Sequence, residues 1–207
     1  MTAIVDYGVG NLFSLQSSLR AIGEEAVVTS DADLLRRADR LLLPGVGAFA
    51  DAAEKLRACG LADVLRERVA AGVPLLGICL GMQLLFDKSY EYGEHEGLGL
   101  VAGAVRPIRK VIDPTLKIPH IGWNALTLTG ARHPIFKYIK DGNFVYFVHS
   151  YAAFGCEESV IARTEYSAPL TAAVANGCVV GCQFHPEKSG EVGLAILRGF
   201  CEWGGES

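Results

Sequence analysis

Cys79 sits in Gly77-Ile78-Cys79-Leu80-Gly81, and His185 and Glu187 sit two positions apart in Gln183-Phe184-His185-Pro186-Glu187. A thiol, an imidazole and a carboxylate are the parts of a covalent acyl-transfer centre. Sulfur attacks, the imidazole takes and returns a proton, and the carboxylate keeps the ring aligned. The surroundings of Cys79 suit a nucleophile. The stretch 69–86 carries no formal charge and reads as a buried strand over Leu75–Ile78 that breaks sharply into a helix over Gly81–Lys88. Glycines on both sides of the cysteine allow a tight turn. A helix N-terminus under the sulfur favours thiolate over thiol. This is the nucleophile-elbow arrangement with sulfur in place of a hydroxyl. Gly72, Pro74, Gly77, Gly81 and Gln83 interrupt the stretch and argue against a membrane-spanning helix. A buried, inert cysteine is the other reading of the pentapeptide, because a free thiol packs well as a small hydrophobe.

Pro186 biases His185 toward an extended backbone. In an extended segment, residues two apart point the same way, which brings Glu187 beside the imidazole. If the strand leading to His185 neighbours the elbow strand, His185 meets Cys79 at the carboxyl rim of the sheet, where open α/β sheets place their ligands. An acyl-transfer centre also needs donors for its oxyanion. The backbone N–H of Leu80 is one; Val46 and Gly47, in the glycine-flanked loop Gly45-Val46-Gly47, are the source of a second, with the glycines as hinges for a peptide flip. Capping or surface histidines and ordinary strand-to-helix turns account for the same residues taken singly. Cys178, Cys182 and His185 are close in sequence, but by strand parity His185 faces away from the two cysteines and no C-x-x-C pair accompanies them, so no metal site is expected.

These groups need a scaffold to bring them together. Short apolar runs at Ala3–Asp6, Glu25–Thr29, Arg40–Leu43 and Leu75–Ile78 alternate with helical spacing over Leu12–Ile22, Asp51–Arg57 and Leu61–Ala71. That order implies βαβ crossovers and a mostly parallel sheet covered on both faces. After Gly93, strand-like runs at Leu98–Ile108, His120–Leu128, Asn143–Val148, Ser159–Glu165, Thr171–Ala175 and Cys178–Phe184 predict an antiparallel or mixed extension of that sheet. A short helix near His133–Ile139 interrupts them, and a helix over Gly190–Trp203 closes the chain. With 207 residues, half of them apolar, and no linker or repeat, one α/β domain over 1–207 is expected. A net charge of -4 argues against nucleic acid or an anionic membrane as the main partner. The N-terminus has no secretory pattern and the six cysteines are scattered, which suits the cytoplasm.

The elbow Gly77-Ile78-Cys79-Leu80-Gly81-Met82-Gln83 together with His185-Pro186-Glu187 resembles the class I, triad-type glutamine amidotransferases, a flavodoxin-like α/β family. Further stretches narrow the resemblance to the glutaminase subunits of imidazole glycerol phosphate synthase. They are Asp6-Tyr7-Gly8-Val9-Gly10-Asn11, Leu43-Pro44-Gly45-Val46-Gly47-Ala48-Phe49, Pro119-His120-Ile121-Gly122-Trp123-Asn124, Tyr146-Phe147-Val148-His149-Ser150-Tyr151 and the run Gly181–Ser189. The resemblance spans nearly the whole chain. It implies that glutamine is hydrolysed to glutamate and ammonia by Cys79, His185 and Glu187, without a cofactor. It also implies that Gln83, Glu91, Ser150 and Tyr151 hold the substrate. The ammonia is then expected to pass to a (β/α)8-barrel cyclase subunit, forming imidazole glycerol phosphate and an aminoimidazole carboxamide ribotide. Asn11, Trp123, Tyr146 and Lys188 are the expected interface residues, with Trp123 on a polar-flanked turn as an anchor. The rival functions are another amidotransferase subunit, a partner-independent cysteine hydrolase or peptidase, and a non-catalytic module on the same fold.

Overall fold

Short apolar segments bounded by caps and glycines set the order of elements in the computed structural model, which describes residues 1–205; the last two positions of the expected domain lie outside the described residues. The first half runs β1 (Thr2–Val5), α1 (Leu12–Ala21), β2 (Ala26–Thr29), α2 (Ala32–Arg36), β3 (Arg40–Gly45), α3 (Phe49–Ala58), α4 (Leu61–Ala70), β4 (Leu75–Cys79) and α5 (Leu80–Leu84). At the starts of α1 and α2 the N-cap side chains satisfy orphan N–H groups. Asn11 accepts from Ser14 N–H at 3.4 Å, and Asp31 accepts from Asp33 and Leu34 N–H at 2.8 and 3.3 Å. The second half runs β5 (Phe86–Ser89), β6 (His95–Glu96), β7 (Val101–Pro107), β8 (His120–Ala125), β9 (Thr127–Leu128), β10 (Phe144–His149), β11 (Tyr151–Phe154), β12 (Val160–Glu165), β13 (Pro169–Asn176), β14 (Val179–Cys182) and α6 (Gly190–Glu202).

The main sheet has the order β2-β1-β3-β4-β14-β13-β12-β9. Its first five strands are parallel and the last three continue it in antiparallel pairing. Alternation along each buried strand divides the core in two. Leu41, Leu43 and Leu75 face α3 and α4, packing with Leu56, Leu61 and Leu65. Leu42, Leu76 and Val180 face α1 and α6, packing with Leu15, Leu19, Ile196 and Phe200. Among the described residues no helix is long and apolar enough to cross a membrane.

Three expectations are corrected. The elbow helix does not run over Gly81–Lys88 but ends at Leu84, and Phe86–Ser89 forms β5. The carbonyls that a longer helix would use are taken by tertiary bonds: Leu98 N–H donates to Leu84 at 2.8 Å, Leu100 N–H to Leu85 at 2.8 Å and Gly99 N–H to Phe86 at 3.1 Å. The strands after Gly93 do not all extend the main sheet. β10 pairs with β8 in a two-stranded sheet, and β11-β7-β5-β6 form a four-stranded one. The helix near His133–Ile139 is only a 3-10 turn over Pro134–Phe136, with His133 capping it through Ile135 N–H.

The elbow is packed backbone against backbone. A Cβ on Gly81 would lie 1.8 Å from the Leu43 carbonyl oxygen, and one on Gly77 would lie 2.7 Å from that of Gly81. No flexible side chain can yield at these contacts, so the two glycines are required by space. Gly81→Ala is therefore expected to lower the unfolding free energy by about 2–3 kcal/mol. Urea denaturation checks this; an unchanged midpoint would show that the contact is looser than the geometry says.

Candidate active site

Cys79 ends β4 with φ 54° and ψ −110°, a left-handed conformation for a residue that is not glycine. Such a backbone persists only where its surroundings fix it. Here Gly45 pairs beside Cys79 in the parallel ladder. A Cβ on Gly45 would lie 2.8 Å from both Gly81 N and the Tyr7 hydroxyl. The Tyr7 hydroxyl donates to the Pro44 carbonyl at 2.8 Å. Burial, and next the neighbouring Cys79, push the Tyr7 phenol up, so that it stays a donor. The sulfur-bearing residue is 8% exposed, at the start of α5.

His185 arrives from β14, which lies parallel to β4 with Cys182 opposite Ile78. Its backbone is extended (φ −100°, ψ 98°), as Pro186 leads one to expect. The segment then turns: Pro186–Lys188 is a 3-10 turn, not an extended run. Glu187 therefore reaches the imidazole by the turn rather than by strand parity, and His185 Nδ1–H donates to Glu187 Oε1 at 2.7 Å. Both side chains are buried. The other ring nitrogen is left for Cys79, whose nearby sulfur favours the protonated ring. Burial alone would push His185 below its ordinary value; the Cys79 sulfur and the bond to Glu187 outweigh it and hold the imidazole at about 9. The Ser189 hydroxyl fixes the turn, donating to the His185 carbonyl at 2.6 Å and accepting from Tyr146 N–H at 2.9 Å.

A cavity of about 780 Å³ opens over the sulfur. Val46, Gly47, Leu80, Gln83, Glu91, Ser150, Tyr151 and Lys188 line it with Cys79 and His185. Every residue expected for the oxyanion or for substrate thus borders one space. Glu91 is also tied to the scaffold, since its Oε2 accepts from Phe49 N–H at 2.5 Å and so caps α3, which has no capping side chain of its own. Gln83 Nε2 donates to the Tyr151 carbonyl at 3.3 Å and to Gln183 Oε1 at 3.1 Å.

Beside the cavity, Trp123 lies on β8 directly opposite Tyr146 of β10, not on a turn, and is 54% exposed. The rings meet edge to face with centroids 6.2 Å apart, and Lys188 Nζ stands 5.9 Å from the centre of the Tyr146 ring. Asn11 begins α1, which packs against the Pro186–Lys188 turn. Gln183, His149 and Arg109 also belong to the site, although nothing in the sequence singles them out. Gln183 is buried with Nε2 3.8 Å from Cys79 Sγ, and His149 and Arg109 line the cavity. Gln183 and His149 stood inside quoted motifs, but their roles depend on contacts with other elements that no spacing displays.

The fold and site define a class: α/β proteins that gather a thiol, an imidazole and a carboxylate at the carboxyl rim of a mostly parallel sheet. Residues 3–202 match the family described as Glutamine amidotransferase class-I, and the chain belongs to that family. It is similar to the imidazole glycerol phosphate synthase subunit HisH of Lactococcus lactis subsp. lactis (strain IL1403), at 48% identity over 96% of each chain. It is also similar to the subunit of that name from Sulfurimonas denitrificans, at 47% identity over 98% of each chain. Among solved structures, one titled "Crystal structure of glutamine amidotransferase" shares the fold with a TM-score of 0.75 over 97% of each chain, at 23% identity.

The His185 environment makes a titration prediction. In nuclear magnetic resonance spectra its imidazole should titrate at about 9, and Glu187→Gln should lower that midpoint. A pKa raised on folding stabilises the protein fully below the ordinary histidine value and ceases to do so as pH rises through about 9. The stability lost in Glu187→Gln should therefore be greatest near pH 6 and shrink toward pH 9. An unmoved midpoint would mean that Glu187 does not hold the ring.

Proposed function

We propose that this protein is the glutaminase subunit of an imidazole glycerol phosphate synthase. In this role it hydrolyses glutamine and hands the ammonia to a cyclase subunit in histidine biosynthesis. The observation that carries the reading is the meeting of Cys79 and His185 at one cavity whose walls hold Gln83, Glu91, Ser150 and Tyr151, with Glu187 bonded to His185 from behind. The near-full-length similarity to HisH subunits supports the choice among amidotransferases.

Cys79 Sγ attacks the side-chain amide carbon of glutamine, with its proton held on His185. The carbonyl oxygen becomes an oxyanion that accepts from Leu80 N–H and from the Val46–Gly47 peptide. The intermediate collapses as His185 gives its proton to the departing nitrogen, which leaves as ammonia. The γ-glutamyl thioester remains on Cys79, and water, activated by the now neutral His185, releases glutamate and the thiol. Glu187 holds the ring in the orientation both transfers need. Glu91 offers a carboxylate to the α-ammonium group of the substrate. Both amide hydrogens of Gln83 are committed, which leaves its oxygen as the acceptor it can offer to glutamine. Ser150 and Tyr151 complete the cradle for the backbone groups.

Ammonia released to water would be protonated and lost, so the cavity mouth suits a covering partner. Trp123, Tyr146, Lys188 and Asn11 form the docking set for a (β/α)8-barrel cyclase. An exposed tryptophan braced by a tyrosine is the kind of anchor that dominates interface energies. Six free thiols suit a reducing cytoplasm.

Two measurements test the reading. Cys79→Ala should lose glutamine-dependent synthesis by at least about 10³-fold, while added ammonium salts still support the partner. Retained ammonia release from glutamine would rule out Cys79 as nucleophile. Trp123→Ala should weaken partner binding by about 2 kcal/mol in calorimetry, and unchanged affinity would remove the anchor role.

A further inference from the structure

A chain of hydrogen bonds that starts on β8 ends at the sulfur. Asn124 Nδ2–H donates to His120 Nε2 at 3.3 Å, and His120 Nδ1–H donates to His149 Nε2 at 3.0 Å. His149 Nδ1–H donates to the Tyr151 carbonyl at 2.8 Å. Gln83 Nε2 donates to the same carbonyl at 3.3 Å and to Gln183 Oε1 at 3.1 Å. Gln183 Nε2 lies 3.8 Å from Cys79 Sγ.

The direction of each bond follows from the groups. A carbonyl only accepts, so His149 must carry its proton on Nδ1, and its Nε2 must accept from His120. His120 Nε2 then accepts from Asn124, whose own oxygen accepts from Ala125 N–H at 3.2 Å. Burial pushes both histidines down to about 4, so each stays neutral and supplies the single proton this sharing requires. At the other end, the two amide hydrogens of Gln83 are spent on the Tyr151 carbonyl and on Gln183 Oε1. With its oxygen so occupied, Gln183 turns its NH₂ toward the sulfur. The side chain is not needed for strand register, because Gln183 N–H already donates to the Ala172 carbonyl at 2.8 Å. Gln183 is 0% exposed, so no water competes for the donor.

We propose that Gln183 is a hydrogen-bond donor to the Cys79 thiolate, aimed by Gln83 and by the Asn124–His120–His149–Tyr151 chain behind it. This rests on the reading of Cys79 as nucleophile and adds a second donor to the sulfur beside the imidazole. A donor to a charged acceptor favours the charged form, so the amide stabilises thiolate over thiol. The titratable groups facing the sulfur are His185, with Glu187 behind it, and Tyr7 from the loop after β1. Glu91 stands across the cavity, His149 faces His185 from β10, and Lys188 and Arg109 stand at the rim. All of them are retained in the variants below.

The test is alkylation of Cys79 by iodoacetamide as a function of pH, read by peptide mass spectrometry to separate it from the other thiols. The thiolate sulfur bonds to the methylene carbon as the carbon–iodine bond breaks and iodide leaves, so the rate follows the thiolate fraction. Gln183→Met should raise the alkylation midpoint by about one pH unit, slowing the reaction about tenfold on the acid side. Turnover of glutamine should fall by about 10- to 100-fold with KM within about threefold, if the donor acts on the reacting sulfur. Gln83→Leu, which frees the Gln183 amide to turn, should shift the midpoint in the same direction. It decides the matter if Gln183→Met fails to fold. An unchanged midpoint in either variant, with a wild-type thermal melt, overturns the proposal. Alkylation needs no glutamine. A wild-type protein that alkylates as described yet releases no ammonia would therefore overturn the glutaminase reading and leave the donor role of Gln183 standing.

Discussion

Strand β14 lies parallel beside β4 with Cys182 opposite Ile78; Cys79 ends β4, and His185 follows β14 at the same rim. These two side chains are separated by more than a hundred positions of sequence, and only this register brings them together. A shift of one residue would turn every side chain of β14 to the opposite face. The register is held by burial on both faces, with Val180 packed toward α1 and α6 and Val179 toward α3 and α4. The stability of the core and the geometry of the chemistry therefore rest on the same strand pair.

What the parallel pair brings close, local crowding makes specific. Cys79 keeps a left-handed backbone because Gly45, Gly77 and Gly81 let β3, β4 and α5 meet backbone to backbone. No side chain at these glycines could be accommodated without moving an element. On the opposite wall, Glu91 caps α3 while it borders the cavity, so the carboxylate proposed to meet the substrate ammonium is held by a helix terminus. On the His185 side, Ser189 ties the turn to β10, the strand that also carries Tyr146 toward the cavity mouth. The face suited to a partner and the imidazole thus share one buried hydroxyl.

The parts of this arrangement that depend on neighbours in sequence were legible there. Leu75–Ile78 announces a buried strand, the two glycines announce the turn, and Pro186 announces the extended backbone at His185. The parts that depend on distant partners were not. The helix after the elbow stops at Leu84 because residues 98–100 bond its carbonyls, and nothing between Gly81 and Lys88 signals that competition. Glu187 reaches His185, as expected, but through a 3-10 turn rather than by alternation along a strand. Alternating apolar patterns after Gly93 identified most strands but not which sheet each would join, since pairing is decided by tertiary register. Gln183 reads as one more residue of a buried strand, and its link to Gln83 and Cys79 joins positions a hundred residues apart.

Under the proposed function, this register makes the Cys79 sulfur a nucleophile toward glutamine. Mixing the complex with glutamine, quenching in acid during turnover and mapping the peptides by mass spectrometry tests it most directly. A γ-glutamyl thioester is expected on the peptide containing Cys79 and on no other cysteine peptide. Steady ammonia release with no glutamyl adduct on Cys79, or with the adduct on another residue, would contradict it.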